Sequence, residues 1–255
     1  MKPTINPVLE QTSFDSAAPA GTAAVIHRFA DAGEYLVKFV GAEANIANAR
    51  LTVGSDPPPG KEPPPESIAI DLTKVVYSKM GGADGHDHLF IVRPKGYVSF
   101  TAHAKAKSYA VVAEPSADSK GVEKRGFDSR RLGPDDIFTL TLLRPGDYRV
   151  VNEFAKYEGR ITVSYPVIGD RPYRPPPPQL VDVNDSGFQP SPIRLQPAQG
   201  IVFKICTTAR IKIELIRPDD GPKDRPPRKI SISPEEFRQA VEKWRRAQEE
   251  KRKKS

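Results

Sequence analysis

The chain is poor in sulfur and in tryptophan: its 255 residues include one cysteine, two methionines and one tryptophan. The single thiol, Cys206, excludes a disulfide scaffold, a cysteine-ligated zinc site and an iron–sulfur cluster within one chain. It lies in the segment VFKICTT, where it is predicted to be a small core or strand residue.

Long apolar stretches are also missing. No run reaches the roughly eighteen apolar residues of a membrane-spanning helix, and residues 1–15 lack the apolar core of a signal peptide. The sequence therefore predicts a protein of the cytoplasm or of the cytoplasmic face of a membrane, or a periplasmic protein if the chain is already processed.

Catalytic motifs are missing as well. Neither glycine-rich phosphate loop, GxxxxGK[ST] or GxGxxG, occurs, and no serine lies in a nucleophile-elbow context. His27 alternates with apolar neighbours in a predicted strand, which favours a surface or hydrogen-bonded position over catalysis. Asp135 and Asp136 fall in a turn, where adjacent carboxylates usually bind water or the backbone. We therefore predict no enzyme activity, no cofactor and no small-molecule substrate.

The positive charge of the chain is concentrated in one segment. The formal net charge is +7, and residues 223–255 hold twelve Lys or Arg against six Asp or Glu, which leaves the preceding residues nearly neutral. A basic nucleic-acid-binding body is therefore disfavoured, and so is nucleic acid as a partner.

Proline is abundant and clustered. Fifteen of the 27 prolines lie in the stretches 57–65, 172–178 and 218–227. Because proline has no backbone donor and cannot join a central strand, these stretches are predicted to be linkers.

Between the linkers, short segments of alternating apolar and polar residues predict strands. Only Pro234–Lys251 has a clear helical pattern. The predicted fold class is mainly β, with two antiparallel Greek-key β-sandwich modules joined by proline-rich linkers and followed by a C-terminal amphipathic helix. The predicted strands are Thr22–Phe29, Glu34–Val40, Arg50–Val53, Ile68–Tyr77, Leu89–Val92, Tyr97–Thr101, Ser108–Ala113, Ile137–Leu143, Asp147–Val151, Arg160–Tyr165, Gln179–Val183, Pro192–Leu195, Ile201–Ile205 and Arg210–Ile216.

An internal repeat relates VIHRFADAGEYLVKF (Val25–Phe39) to FTLTLLRPGDYRVV (Phe138–Val151). Both contain Gly-acid-Tyr, and both are followed by Arg-(Ile/Leu)-Thr-Val. The glycine permits a tight turn, and the tyrosine begins a strand and is placed to cover the end of a sandwich. A looser match relates FIVRPKGYVSF (Phe90–Phe100) to IRLQPAQGIVF (Ile193–Phe203).

The order of these segments leaves three arrangements open. In the one that we favour, residues 68–167 form a complete sandwich, and residues 1–56 and 179–217 form a second, circularly permuted one. The end segments could instead pair with neighbouring subunits, or each could be an incomplete sheet covered by another segment. The first arrangement closes the sheet edges within one chain, whereas exposed edges promote aggregation. The connecting segments are 57–67, 168–178 and 218–232, and the helix spans 233–255.

Residues 68–166 resemble a cupredoxin-like β-sandwich. The resemblance rests on Pro-x-Gly-x-Val-x-Phe at Pro94–Phe100, on PGDY at Pro145–Tyr148 and on Gly-Arg-Ile-Thr-Val at Gly159–Val163. The segment GFQPSPIRLQPAQGIVF, which ends at Phe203, adds to it. Similar segments occur in immunoglobulin-like modules, so the resemblance implies a β-sandwich of the cupredoxin-like or immunoglobulin-like superfamily.

The ligand residues of the cupredoxin copper site are not found at the matching positions of this sequence. Such a site needs two imidazoles and a thiolate, whereas Ser108 and Arg210 stand where the resemblance places the first histidine in the two copies. His86 and His88, in GGADGHDH, have the residue types of a metal site but lie on a glycine-rich loop, which favours a solvated hairpin tip. We therefore predict no metal site, with a metal-binding or electron-transfer protein that uses His86 and His88 as the alternative.

Residues 233–255 predict a capped amphipathic helix. Ser233 is a good N-cap, Pro234 suits the first helical position, and Glu236 completes a capping box. A narrow apolar stripe, flanked by basic residues, either packs on the sandwiches or contacts a partner; it consists of Phe237, Ala240, Val241, Trp244 and Ala247. The predicted interaction residues are Phe237, Val241, Trp244, Arg245 and Arg246.

Taken together, these features predict a non-enzymatic structural or accessory subunit that stabilises a larger complex. The expected partners are other protein subunits, with an anionic membrane surface as a further contact of the basic tail. A β-sandwich module that binds a ligand through its loops is a second alternative.

Overall fold

The computed structural model describes residues 11–41, 45–54, 63–75, 88–103, 109–116, 126–166 and 172–221. The described strands all belong to the compact unit Met1–Asp220, and residues 72–75 form a short helix. In chain order the strands are β1 (Ser13–Asp15), β2 (Ala24–Phe29), β3 (Gly33–Val40), β4 (Asn45–Val53), β5 (Ser67–Asp71), β6 (His88–Val92), β7 (Gly96–Thr101), β8 (Ala110–Pro115), β9 (Phe127–Asp128), β10 (Ile137–Thr141), β11 (Gly146–Asn152), β12 (Tyr157–Val163), β13 (Gln179–Asn184), β14 (Gly187–Gln189), β15 (Ile193–Leu195), β16 (Gly200–Ile205) and β17 (Ile211–Pro218).

The strands form three mixed sheets. The central sheet has seven strands in the order β14-β13-β16-β10-β2-β7-β5. The first outer sheet has the order β6-β4-β3-β8-β9, and the second outer sheet has the order β1-β17-β11-β12-β15.

Alternating side chains place an apolar face of the central sheet against both outer sheets. Phe100 on β7 stacks on Phe127 of the first outer sheet, with ring centroids 5.4 Å apart. Phe188 on β14 packs edge-on against Tyr157 of the second outer sheet, with ring centroids 5.2 Å apart. The described core is therefore formed by sheets packed face to face, which is consistent with a β-sandwich.

The prediction of a mainly β fold is confirmed. The prediction of purely antiparallel sheets is wrong, because the pairs β4–β6, β5–β7, β12–β15 and β13–β16 are parallel. One predicted strand also ends early. The segment Ile68–Tyr77 was expected to be extended, but β5 ends at Asp71 and a helical turn follows. The Asp71 Oδ1 atom accepts a hydrogen bond from the Thr73 amide at 3.0 Å. Such a contact caps the start of a helix, so Asp71 ends the strand.

The strand pairs group the repeated segments differently from the favoured arrangement. In the first repeat, which spans residues 24–115, β4 pairs with β6, β3 pairs with β8, and β2 pairs with β7. In the second repeat, which spans residues 137–218, the corresponding strands pair in the same way: β12 with β15, β11 with β17, and β10 with β16. Each repeat is thus built from one continuous stretch of the chain. Residues 68–167, which were predicted to form one complete sandwich, contribute strands to both repeats.

The two repeats share the central sheet through an antiparallel pair of strands, β2 and β10. Val25 and Phe138 face each other in this pair, and they occupy the same position of the internal repeat. A local two-fold axis therefore passes between Val25 and Phe138 and relates the first repeat to the second.

Candidate functional site: the seam between the repeats

A buried His–Asp pair lies at the seam, which is the β2–β10 strand pair where the repeats join. His27 on β2 and Asp136, which directly precedes β10, are 6% and 2% exposed. The His27 Nδ1 and Asp136 Oδ1 atoms are 2.6 Å apart, and Asp136 Oδ2 accepts a hydrogen bond from the Gly133 amide at 2.6 Å. Because an ionised carboxylate can only accept, Asp136 favours a proton on Nδ1 and fixes the orientation of the ring.

The His27 ring contacts aromatic side chains and also lines a small cavity. Its centroid is 4.6 Å from that of Phe29 and 4.8 Å from that of Phe127. The cavity, of about 120 Å³, is also lined by Asp31 and Tyr35. The Tyr35 hydroxyl donates to the Asp31 carbonyl oxygen at 3.0 Å, so it is engaged in holding the turn. A cavity of this size holds a few water molecules, and the arrangement orients His27 and ties the repeats together.

The His–Asp pair occurs on one side of the local two-fold axis only. Leu140 and Ala23 occupy the positions that correspond to His27 and Asp136, and both are buried. An apolar pair has no polar atoms to desolvate, whereas a buried hydrogen-bonded pair is stable only when both partners are in place. The seam therefore has one apolar side and one polar side.

The Gly-acid-Tyr motif forms the same corner in both repeats. Gly33 and Gly146 have φ angles of 147° and 146°, a backbone region that favours glycine. Two residues later the tyrosine is buried and its hydroxyl donates to a carbonyl oxygen four residues upstream: Tyr35 to Asp31 at 3.0 Å and Tyr148 to Arg144 at 2.7 Å. Burial raises the pKa of both phenols, which keeps them as donors.

The acidic residue of the second motif, Asp147, is the centre of a charged cluster. Its carboxylate accepts hydrogen bonds from Arg160 Nη2 at 2.7 Å, from Thr162 Oγ1 at 3.0 Å and from Arg217 Nη2 at 2.6 Å. These bonds, led by the one from Arg160, hold the pKa of Asp147 down at about 2. The cluster joins β11, β12 and β17 at one end of the second outer sheet.

The Asp147 cluster predicts a loss of stability in acid. A carboxyl whose pKa is lowered by folding stabilises the folded state above its unfolded pKa of about 4, and this contribution is lost as the pH falls toward 2. Chemical denaturation at pH 7, 4 and 2.5 is expected to show a steeper loss of stability in the natural chain than in Asp147→Asn. The control is Glu158→Gln, which removes an exposed ion pair with Arg149 and should follow the natural chain. Parallel curves for the natural chain and Asp147→Asn would contradict the assignment.

The structure brings together few of the residues that the sequence singled out. The predicted interaction residues Phe237, Val241, Trp244, Arg245 and Arg246 lie outside the described residues, as does His86. His88 lies on β6, where its ring stacks near that of Phe90 at 6.3 Å between centroids. Within the described ranges, no group of three or more His, Cys, Asp or Glu side chains is placed to hold a metal ion, and no helix is both long enough and apolar enough to cross a membrane.

The predictions about single residues have different outcomes. His27 is hydrogen-bonded, which is one of the two positions that the sequence predicts for it, and Asp136 binds the backbone of its turn, as predicted. The predicted core or strand position of Cys206 is wrong. The residue directly follows the end of β16, and it is exposed. The pairing of His27 with Asp136 had no sequence signal, since the two residues are distant in the chain and the register of β2 on β10 brings them together.

Comparison of the chain with protein-family models, with curated proteins and with solved structures finds no match.

Proposed function

We propose that the protein is a non-enzymatic structural subunit that stabilises a larger protein complex. The observation that carries this proposal is a proline-rich arm, residues 172–178, that lies exposed on the body but is fastened to it. A stiff arm of this kind offers an extended surface to a partner at a modest entropy cost, because its backbone is already restricted.

Two side-chain hydrogen bonds fasten the arm. The Tyr173 hydroxyl donates to the Pro197 carbonyl oxygen at 2.7 Å, and Gln199 Nε2 donates to the Pro177 carbonyl oxygen at 2.8 Å. From Arg174 to Pro177 the chain reads Arg-Pro-Pro-Pro, and Arg174, Pro175 and Pro177 are exposed. The arm therefore presents proline rings and one guanidinium to solvent in a fixed place.

The basic segment 223–255 is the second element of the proposal. Its charge and its apolar stripe support a role as an anchor on partner subunits, with an anionic membrane surface as an additional contact on the cytoplasmic side. We assign the two repeats to cupredoxin-like or immunoglobulin-like sandwiches of the Greek-key type, and this assignment is supported by the Tyr35 and Tyr148 corners, whose hydroxyls bind upstream backbone as in immunoglobulin-like domains.

Removing residues 222–255 tests the anchor. Partner recovery by affinity purification and mass spectrometry is expected to fall by about tenfold or more, equivalent to about 1.4 kcal/mol of binding. The melting temperature of the body should stay within about 2 °C, because the bonds of Asp219 and Asp220 to Pro145 and Arg144 are retained.

Two full-length variants refine this experiment. Trp244→Ala removes the single tryptophan of the chain and is expected to weaken partner recovery, whereas Phe154→Ala removes an exposed aromatic residue of the body and should leave it unchanged. Unchanged recovery after truncation would show that residues 222–255 are not an anchor. Recovery only from the membrane fraction, reproduced by vesicles that contain anionic lipid, would assign the tail to the membrane.

A further inference from the structure

The three-residue segment Phe-Asp-Ser occurs twice, just before each repeat. Phe14-Asp15-Ser16 precedes β2, and Phe127-Asp128-Ser129 precedes β10 at the corresponding position. The two segments are exchanged between the repeats: β1 pairs with β17 of the second repeat, and β9 pairs with β8 of the first. Each outer sheet is therefore completed by the short strand that precedes the other repeat.

The edge of β17 binds the Phe-Asp-Ser strand through its backbone. The Ser16 amide donates to the Ile211 carbonyl oxygen at 2.9 Å, and the Leu215 amide donates to the Thr12 carbonyl oxygen at 2.8 Å. The Ile211 amide in turn donates to Ser16 Oγ at 3.0 Å. These bonds fix the register of any strand that enters this edge.

The same edge also recognises the side chains of the entering strand. Phe14 is 6% exposed and belongs to the core. Arg210 holds the Asp15 carboxylate through two hydrogen bonds, Nε to Oδ1 at 3.2 Å and Nη2 to Oδ2 at 2.8 Å. Because two hydrogen bonds join one guanidinium to one carboxylate, the edge recognises the planar geometry of a carboxylate at this position. The groove therefore selects an aromatic residue, an aspartate and a serine in that order.

The corresponding groove of the first repeat holds the serine and the phenylalanine of its strand in the same way, whereas Asp128 is bound by Arg130 of its own segment. The Ser129 amide donates to the Val111 carbonyl oxygen at 2.9 Å, and the Val111 amide donates to Ser129 Oγ at 2.9 Å. Phe127 is 3% exposed. The recurrence of these contacts in both repeats shows that the groove is a reproducible feature of the fold.

We propose that the edge of β17 is an acceptor groove for a Phe-Asp-Ser strand, and that a second copy of this chain fills it with its own β1. The groove already takes this strand from the segment that precedes the other repeat, and its contacts are the same whichever chain supplies the strand. Arg210 and Asp15 supply the charge complementarity. Two copies that exchange β1 form a closed pair without any new interface.

Protein concentration governs this exchange. Within one chain β1 competes at an effective concentration on the order of millimolar. Exchange also requires the link between β1 and β2 to open, which breaks the bonds from Ser129 Oγ to the Ala17 carbonyl oxygen and from the Gly21 amide to the Ala102 carbonyl oxygen. Exchanged pairs are therefore expected at protein concentrations near 1 mM, or after a brief exposure to denaturant that releases β1.

Disulfide trapping between two single-cysteine variants tests the proposal in the full chain. Ser13 and Glu214 face each other in the β1–β17 pair. The next pair along these strands, Thr12 and Leu215, is hydrogen-bonded, so Ser13 and Glu214 form a non-hydrogen-bonded pair, in which the two Cα atoms are close together. Ser13→Cys and Glu214→Cys, each with Cys206→Ser, are mixed at about 1 mM, treated briefly with denaturant, refolded and oxidised. A 13–214 cross-linked heterodimer is expected about tenfold above the control.

The control mixture pairs Ser13→Cys with the natural chain, whose exposed Cys206 reports random collision. The double variant Ser13→Cys/Glu214→Cys should close its bridge within one chain when dilute. Heterodimer at the control level, with the double variant closing normally, would overturn the exchange. A double variant that does not close would overturn the groove itself. Neither result depends on the anchor that we propose for residues 222–255.

Discussion

Asp136→Ala is expected to lower the free energy of unfolding by about 2 kcal/mol or more, because each buried donor that is left without an acceptor costs about 1–3 kcal/mol. The substitution leaves His27 buried beside Phe29 and Phe127 without its partner, and it removes the acceptor of the Gly133 amide. Urea denaturation followed by tyrosine fluorescence and by circular dichroism gives the loss directly.

The double variant His27→Leu/Asp136→Ala is the matched comparison. It installs at the polar side of the seam the leucine and alanine that the chain already has on the other side, at Leu140 and Ala23. It should recover about half or more of the stability that Asp136→Ala loses, because an apolar pair replaces a buried imidazole that has no hydrogen-bond partner. A loss below about 1 kcal/mol for Asp136→Ala would show that the pair does not hold the seam.

Gly146→Ala is expected to cost about 3 kcal/mol or more, because backbone strain and steric overlap add. The φ angle of Gly146 is 146°. A Cβ atom there would lie 2.5 Å from the Arg217 carbonyl oxygen and 3.0 Å from the Pro218 Cα atom. These are backbone atoms of β17, so relief of the overlap would displace the strand that pairs with β11.

Gly54→Ala is the control for Gly146→Ala. A Cβ atom at Gly54 meets Thr52 Cγ2 at 3.9 Å, an ordinary contact, so the change should stay within about 0.5 kcal/mol. Thermal and urea denaturation of both variants measure the difference. Equal losses in the two variants would mean that the close approach of β17 does not require glycine at position 146.

Alternating apolar residues predicted most of the strands, because a half-buried strand needs one apolar face. Ile137–Thr141 and Gly200–Ile205 are examples. The same signal failed at 72–75, where the Asp71 carboxylate starts a helical turn, a local bond that hydrophobic alternation does not detect. It also missed β1, β9 and β14, since strands of two or three residues are too short to show a period.

The pairing of distant segments into sheets could not be predicted from the sequence. The repeat itself was visible in the sequence, but Gly-acid-Tyr fixes only a local corner and does not determine which segments share a sheet. The register of Val25 on Phe138 decides the pairing, and it also places His27 beside Asp136. The predicted interaction residues, such as Trp244, lie in a segment that the structure does not describe, so that prediction stays open to the truncation experiment.

Placing both repeats on one polypeptide has a consequence that two identical subunits would not share. In a dimer of identical chains, any residue beside the axis appears on both sides, so a histidine opposite an aspartate must occur twice or not at all. Here the two sides are encoded separately, and His27 and Asp136 face each other on one side while Leu140 and Ala23 occupy the other. Duplication within one gene product thus frees each half of the seam to change on its own.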